Sequence, residues 1–290
     1  MLLVVVSSAA CYPLIKTGLA YAPALRFAGL RTLLAGLGLL GILALKSERL
    51  WPRGTLGWWI VPLGLTATTL TFGTMFLSPA YLGTGLATVL GNLQPLLIIL
   101  LAAVFLGEPL TLSRVTVLVL ALAGLVLISL SQEQGGEFHA LHGALLALGS
   151  SSGAAVASVM IKKLRPGPEL PVLTAWQLVA GSLPLLAWSW MVEPAAINWT
   201  PLFGGLLLIL SLAGTSLTAL VWFWLLQQTE AGTLALWLFL VPILGLLFAF
   251  LYYGERLEGL AIWGVLLMLL ALGAALVASF RDRFGTGSVE

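Results

Sequence analysis

Charge is what this sequence has least of: of its 290 residues 11 are acidic and 13 basic, 8% together, where an ordinary soluble domain carries roughly a quarter. So few charges cannot cover a water-soluble globule of this size, and a net charge of +2 offers no basic face, so no nucleic-acid partner is expected. Cysteine is almost absent too. Cys11 stands alone, which excludes a disulfide framework, and no paired Cys or nearby His gives it metal-ligand spacing. The two histidines, His139 and His142, lie at or before the start of one apolar stretch with no acidic residue placed to orient them. The run Gly149 to Gly153, with its three serines, therefore reads as a helix-packing surface and not as a serine nucleophile. Paired aspartates for metal-diphosphate chemistry are missing as well, so neither an enzyme, a metal nor a cofactor is expected.

What fills the chain is apolar: 60% hydrophobic residues and a mean hydropathy of +1.08. Its solvent is lipid, since about 20 apolar residues cross the hydrocarbon of a bilayer. Charge-free stretches predict an all-α membrane protein of ten spans. They are Met1 to Gly18, Pro23 to Leu45, two within Gly54 to Gly107 divided by a turn at Ser78, Pro79 and Ala80, Val115 to Gln132, and His142 to Ile161. Leu170 to Val192, a span beginning near Pro201, Ala231 to Gly254 and Gly259 to Phe280 complete the set. Leu2 to Val6 followed by small residues imitates a signal peptide, but no basic residue precedes it.

Lysine and arginine accumulate in cytoplasmic connections. Numbering the connections alternately puts Lys46, Arg49, Arg53, Arg114, Lys162, Lys163, Arg165, Arg281 and Arg283 on one side, and only Lys16, Arg26 and Arg256 on the other. Both termini are accordingly expected in the cytoplasm. Residues 285–290 have no run of apolar side chains, and 282–290 is expected to be a disordered tail.

Shifted by 147 positions, the chain superposes Thr68, Leu70 and Thr71 on Thr215, Leu217 and Thr218, Pro95 on Pro242, and Gly107-Glu108 on Gly254-Glu255. The chain thus reads as two five-helix units, 1–132 and 140–281, joined by the polar segment Ser131 to His139. Five is odd, so the second unit enters the membrane inverted. Inverted repeats supply the two related conformations that alternating access requires, with the solute held near the midplane.

Asn92-Leu93-Gln94-Pro95 with Gly107-Glu108-Pro109-Leu110, and Leu240-Val241-Pro242 with Gly254-Glu255-Arg256-Leu257, resemble the drug/metabolite transporter superfamily in its EamA-type branch of ten-helix carriers. The resemblance implies a solute carrier whose first four helices in each repeat line a central cavity, with the fifth and tenth peripheral. Substrates in such a family are amino acids, metabolites, nucleotide sugars or drugs, and bacterial relatives export, which implies a bacterial inner membrane. One departure is Ser7-Ser8, which stand where many members carry Trp-Gly.

Within the spans the sharpest residue is Arg31, eight residues into the second span. A guanidinium there faces protein or water; it either pairs with a substrate carboxylate or phosphate, or snorkels and bonds carbonyls of a neighbouring helix. No Asp or Glu lies inside any span. A proton-coupled carrier needs a membrane carboxylate, so facilitated transport or exchange is expected. Tyr81, Gly85, Thr88, Asn92 and Pro95 share a helical face by steps of four, three, four and three, and Thr68, Thr71, Met75 and Ser78 lie on a similar face of the third helix. Thr215, Thr218 and Trp222 repeat that pattern in the eighth. Trp176, Trp222, Trp237 and Phe239 are candidate stacking walls, and Gln177 is near the repeat-mate position of Arg31. Pro95 and Pro242 are candidate hinges inside their spans. Together these predict a carrier of small zwitterionic or weakly anionic metabolites, amino acids first. A sugar-phosphate or nucleotide-sugar exchanger or a multidrug exporter is the alternative, and a channel would need a continuous polar face. The partners expected are a small-molecule substrate and the bilayer, for a monomer or a homodimer.

Overall fold

The computed structural model describes residues 1–78, 91–130, 140–194, 196–253 and 259–284. Every regular element among them is helical. In chain order they are α1 (Leu2–Gly18), α2 (Ala24–Leu45), α3 (Gly54–Leu77), α4 (Gln94–Leu106), α5 (Leu112–Leu130) and α6 (Ala140–Leu164), then α7 (Leu170–Val192), α8 (Pro201–Gln228), α9 (Ala231–Trp237), α10 (Leu240–Tyr253) and α11 (Leu260–Phe284). Five helical runs, in α2, α3, α6, α7 and α8, are long and apolar enough to cross a membrane. The other apolar runs among the described residues are shorter, Arg114–Leu127 within α5 and Ile262–Ala271 within α11 included. Large apolar side chains such as Leu100, Val104, Leu251 and Leu270 point outward, as lipid-facing surfaces require.

Local chemistry explains the ends. Thr200 accepts the amide of Phe203 at 3.1 Å and Pro201 occupies the first turn of α8, where its missing N–H costs nothing. Gly107 closes α4 at φ +68°, a left-handed conformation that an L side chain resists. α7 runs from Leu170 to Val192, the boundaries that hydropathy predicts.

Two spans depart from the sequence expectation in the same way. Ala231 to Gly254 is not one helix: α9 ends at Trp237 and α10 begins at Leu240. Pro242 sits in the first turn of α10, because its ring would clash with the Leu238 carbonyl of a continuous helix. Pro95 likewise lies in the first turn of α4, after a break at Asn92 and Leu93. Neither proline is a kink within an unbroken helix; each restarts a broken one. α11 also reaches Phe284, three residues into the segment expected to be a tail, while 285–290 and the connection 131–139 lie outside the described residues.

The halves interlock through α2 and α7, which run antiparallel. Glu193, just past α7, accepts the amides of Leu25 and Arg26 at the start of α2 (2.8 and 3.0 Å), whereas Leu43 and Val172 share a crevice at the other ends. At one end of the bundle Phe27, Phe76 and Phe203 pack, with the Phe76 and Phe203 ring centroids 5.8 and 5.4 Å from that of Phe27. A larger core gathers Leu63, Ile98, Leu125, Ile161, Leu173 and Leu226. α5 packs mainly on α11, where Gly124 meets the backbone of Gly264 and Met268.

Candidate functional site

α3 and α8 each contain a π-helical turn, Gly64–Leu70 and Leu212–Leu217, and a shift of 147 positions lays 65–70 on 212–217. A π turn holds an extra residue, so its carbonyls are displaced from the i+4 ladder and open to side chains. Hydroxyls use them at repeat-equivalent places: Thr71 donates to the Thr66 carbonyl (2.8 Å), Thr218 to that of Ala213 (2.9 Å). Other hydroxyls on the same turns cross to the opposite repeat. Thr69 donates to the Gly181 carbonyl on α7, and its mate Ser216 to the Ala35 carbonyl on α2, both at 2.7 Å. The backbones approach closely enough that a Cβ on Gly181 would lie 2.3 Å from the Gly64 carbonyl oxygen.

A third pair completes the pattern. Thr68, fully buried, donates to Oε1 of Gln177 on α7 (2.9 Å). Its mate Thr215 accepts from Nε of Arg31 on α2 (2.7 Å) and donates to the Leu210 carbonyl (2.9 Å). Arg31 is 3% exposed. Its Nη2 donates to the Gly214 carbonyl (3.2 Å) and lies 3.4 Å from Cys11 Sγ, and the Phe72 ring centroid is 5.4 Å from its Cζ. Gly214 has to be glycine for this, since a Cβ there would stand 2.7 Å from Cys11 Sγ and 3.3 Å from Nη2. Nη1 is buried with no hydrogen-bond partner, and among the described residues no carboxylate pairs with the guanidinium. Two similar latches thus join the repeats, one neutral and one cationic.

The predicted site residues fall in several places. Arg31 and Gln177 belong to the latches, while Thr71 and Thr218 bond carbonyls of the adjoining π turns, with the Thr218 hydroxyl 2.8 Å from Ser7 Oγ on α1. Ser7, where the resemblance leads one to expect an aromatic, is thus a polar link between α1 and α8. Met75 packs nearby against the Phe27 cluster. Phe239 is buried in the break between α9 and α10, with Pro242 beside it, and Trp237 packs against Val5, Ala9 and Val241. Pro95 is buried and Asn92 half-buried at the break before α4. The remaining two tryptophans are anchored at their N–H groups. Trp176 donates to the Leu50 carbonyl (2.6 Å) with its ring edge-on to Trp51, and Trp222 donates to Ser158 on α6 (3.0 Å). Tyr81, Thr88 and the turn at Pro79 and Ala80 lie outside the described residues. Gly214, Phe72 and Cys11 are residues of the cationic latch that sequence reasoning left out of the site, whereas Thr68 and Thr215 stood on its threonine faces without being given a latch partner. The 147-residue register already marked Thr215 through its match to Thr68.

Away from the latches, Glu108 accepts the amides of Ala231 and Gly232 (2.7 and 2.9 Å) at the start of α9 and lies 3.5 Å from Lys162 Nζ. It ties the first repeat's α4–α5 connection to the second repeat. Glu255 lies outside the described residues. Gly153 packs on α3, 2.7 Å from the Thr66 carbonyl by the position of a Cβ, which accounts for the glycine spacing by close approach alone. No group of three or more His, Cys, Asp or Glu among the described residues is placed to hold a metal.

Comparison with known proteins follows this geometry. The profile of the EamA-like transporter family matches residues 1–130 and 141–277. An uncharacterized transporter of Bacillus subtilis (strain 168), YvbV, is 33% identical over 90% of this chain and 85% of its own. A probable amino-acid metabolite efflux pump of Salmonella typhimurium is 29% identical over 93% and 91%. A crystal structure superposes at a TM-score of 0.82 over 96% of this chain and 95% of that one, with 17% identity, so the fold is shared.

Proposed function

From the premise that this chain belongs to the EamA-like transporter family, we propose that it is a secondary carrier that exports small metabolites, amino acids first, by alternating access in a bacterial inner membrane. The observation that carries this reading is the pair of latches. Thr68 with Gln177 and Thr215 with Arg31 join opposite repeats at equivalent positions, each on a π-helical turn. Such a junction gives two related contacts that can exchange roles as the halves rock. The antiparallel α2 and α7, which are repeat mates, support an inverted arrangement, and the charge bias of the sequence supports placing both termini of a ten-span chain in the cytoplasm. One chain holds both repeats, so a monomer suffices for transport.

The name of the Salmonella relative supports amino acids as the first solutes to try. Exchange or facilitated diffusion fits better than proton coupling, because every Asp and Glu of the sequence falls outside the expected spans. The twelve side chains proposed to face the solute during the cycle are those named above: Arg31, Thr71, Met75, Tyr81, Thr88, Asn92, Trp176, Gln177, Thr218, Trp222, Trp237 and Phe239, with Pro95 and Pro242 as hinges. Counterflow in proteoliposomes preloaded with mixed amino acids tests the reading. Labelled amino acid is expected to accumulate without a pH gradient. Accumulation only under a pH gradient removes the exchange mechanism, and none under either condition removes amino acids as substrates.

A further inference from the structure

Arg31 presents one unused edge. Nε and Nη2 are committed to Thr215, Gly214 and Cys11, while Nη1 carries two N–H bonds with nothing to receive them. Buried donors without acceptors are rare, and a buried cation without a counter-charge is costlier still. The geometry points to an anion subsite: Nη1 receives one carboxylate oxygen of the carried solute, and Thr215 is the positioning residue that fixes the guanidinium plane. This rests on the carrier reading and narrows its substrate to a solute with a single negative charge at the bound end.

Charge matching decides between carboxylate and phosphate. Arg31 supplies one positive charge. The nearest cation along α2, Arg26, is already engaged by Ser189 (3.1 Å), the Glu193 carbonyl (2.8 Å) and the face of Trp190. Lys16 is exposed at the end of α1. A monoanionic carboxylate neutralises Arg31, whereas a phosphate dianion would leave one negative charge buried in a low-dielectric setting. Two of the three guanidinium nitrogens are also taken, which leaves Nη1 to hold a single oxygen of whichever anion binds. Because the groups holding Nε and Nη2 belong to α8 and α1, an anion on Nη1 binds at the junction of the repeats and its arrival bears directly on their contact.

The test is competition on wild-type protein in proteoliposomes exchanging a labelled metabolite. The competitors are free amino acids, the matching amino-acid amides, neutral sugars and glucose 6-phosphate. Free acids are expected to compete and their amides to do so about 30-fold more weakly or less, the loss that follows from removing one partner of a buried charge pair. Arg31→Gln is expected to erase the preference for acid over amide. Thr215→Val is expected to weaken acids about tenfold while keeping the preference, and Thr215→Ser to restore the affinity. Acids and amides competing alike, or glucose 6-phosphate outcompeting the acids, overturns the subsite and leaves the carrier standing. A wild-type protein that exchanges no solute of the panel overturns the carrier reading itself. The wild-type comparison stands even if a variant fails to fold.

Discussion

At the level of single residues, the contact between repeats depends on glycines as much as on hydroxyls. Gly181 lets α7 touch α3, with the Gly64 carbonyl oxygen 2.3 Å and Thr68 Cβ 2.4 Å from where its own Cβ would stand. Both obstacles are backbone or β-carbon, so neither can rotate away. Gly181→Ala is therefore expected to push the helices apart and destabilise by about 1–3 kcal/mol, the usual penalty of overpacking. Gly204, on α8, has nothing within 4 Å, and its replacement by Ala is expected to be neutral or to stabilise by up to about 1 kcal/mol through helix propensity. Thermal unfolding of the purified variants in one detergent measures both, and equal melting temperatures would refute the close-contact account. Arg31 was the residue most legible in the sequence, because a charge in a span is rare whatever surrounds it. Its partners were less legible. Thr68, Thr71, Met75 and Ser78 look like one α-helical face, but the π turn from Gly64 to Leu70 adds a residue and turns Thr68 and Thr71 onto different partners, Gln177 and the Thr66 carbonyl.

At the level of the helices, hydropathy placed α7 and α8 well because each is a long apolar run bounded by proline or polar residues. It failed to foresee the breaks before Pro95 and between α9 and α10. Hydropathy measures transfer from water and is blind to a missing N–H. Broken spans leave short helices with exposed ends, and those ends need partners. α9 finds one in Glu108, whose carboxylate takes two of its amide donors and meets the positive end of the helix dipole. Glu108→Ala is expected to cost about 0.5–2 kcal/mol, the range for losing an N-terminal cap, and to leave Lys162 without its carboxylate. Glu108→Gln is expected to lose less, since an amide oxygen still accepts one of the two N–H groups. Melting temperatures that fall in the order wild type, Gln, Ala support the cap; an Ala variant as stable as wild type removes it. The Arg114–Glu230 ion pair at the same junction is exposed on the glutamate side and is expected to contribute little by comparison.

For the whole molecule, the repeat is the feature from which topology follows. Residues 65–70 and 212–217 share both a sequence register and the same unusual helical geometry, and their hydroxyls reach the same places on opposite partners. Such correspondence follows from a common unit used twice. If that unit has an odd number of spans, its two copies face opposite sides of the membrane, and repeat mates in contact run antiparallel. α2 and α7 do so, as Glu193 at one end and the Leu43–Val172 crevice at the other define. The charge bias in the sequence is the basis for proposing which side is which, with Lys46, Arg49, Arg53, Lys162, Lys163 and Arg165 expected in the cytoplasm. An alkaline phosphatase inserted at Gly135, in the connection between repeats, is expected to be active, because that connection faces outward when five spans precede it. A green fluorescent protein fused after Glu290 is expected to fluoresce, because ten spans return the chain to the cytoplasm. Both reporters on one side would mean an even number of spans between them, and a second repeat that parallels the first.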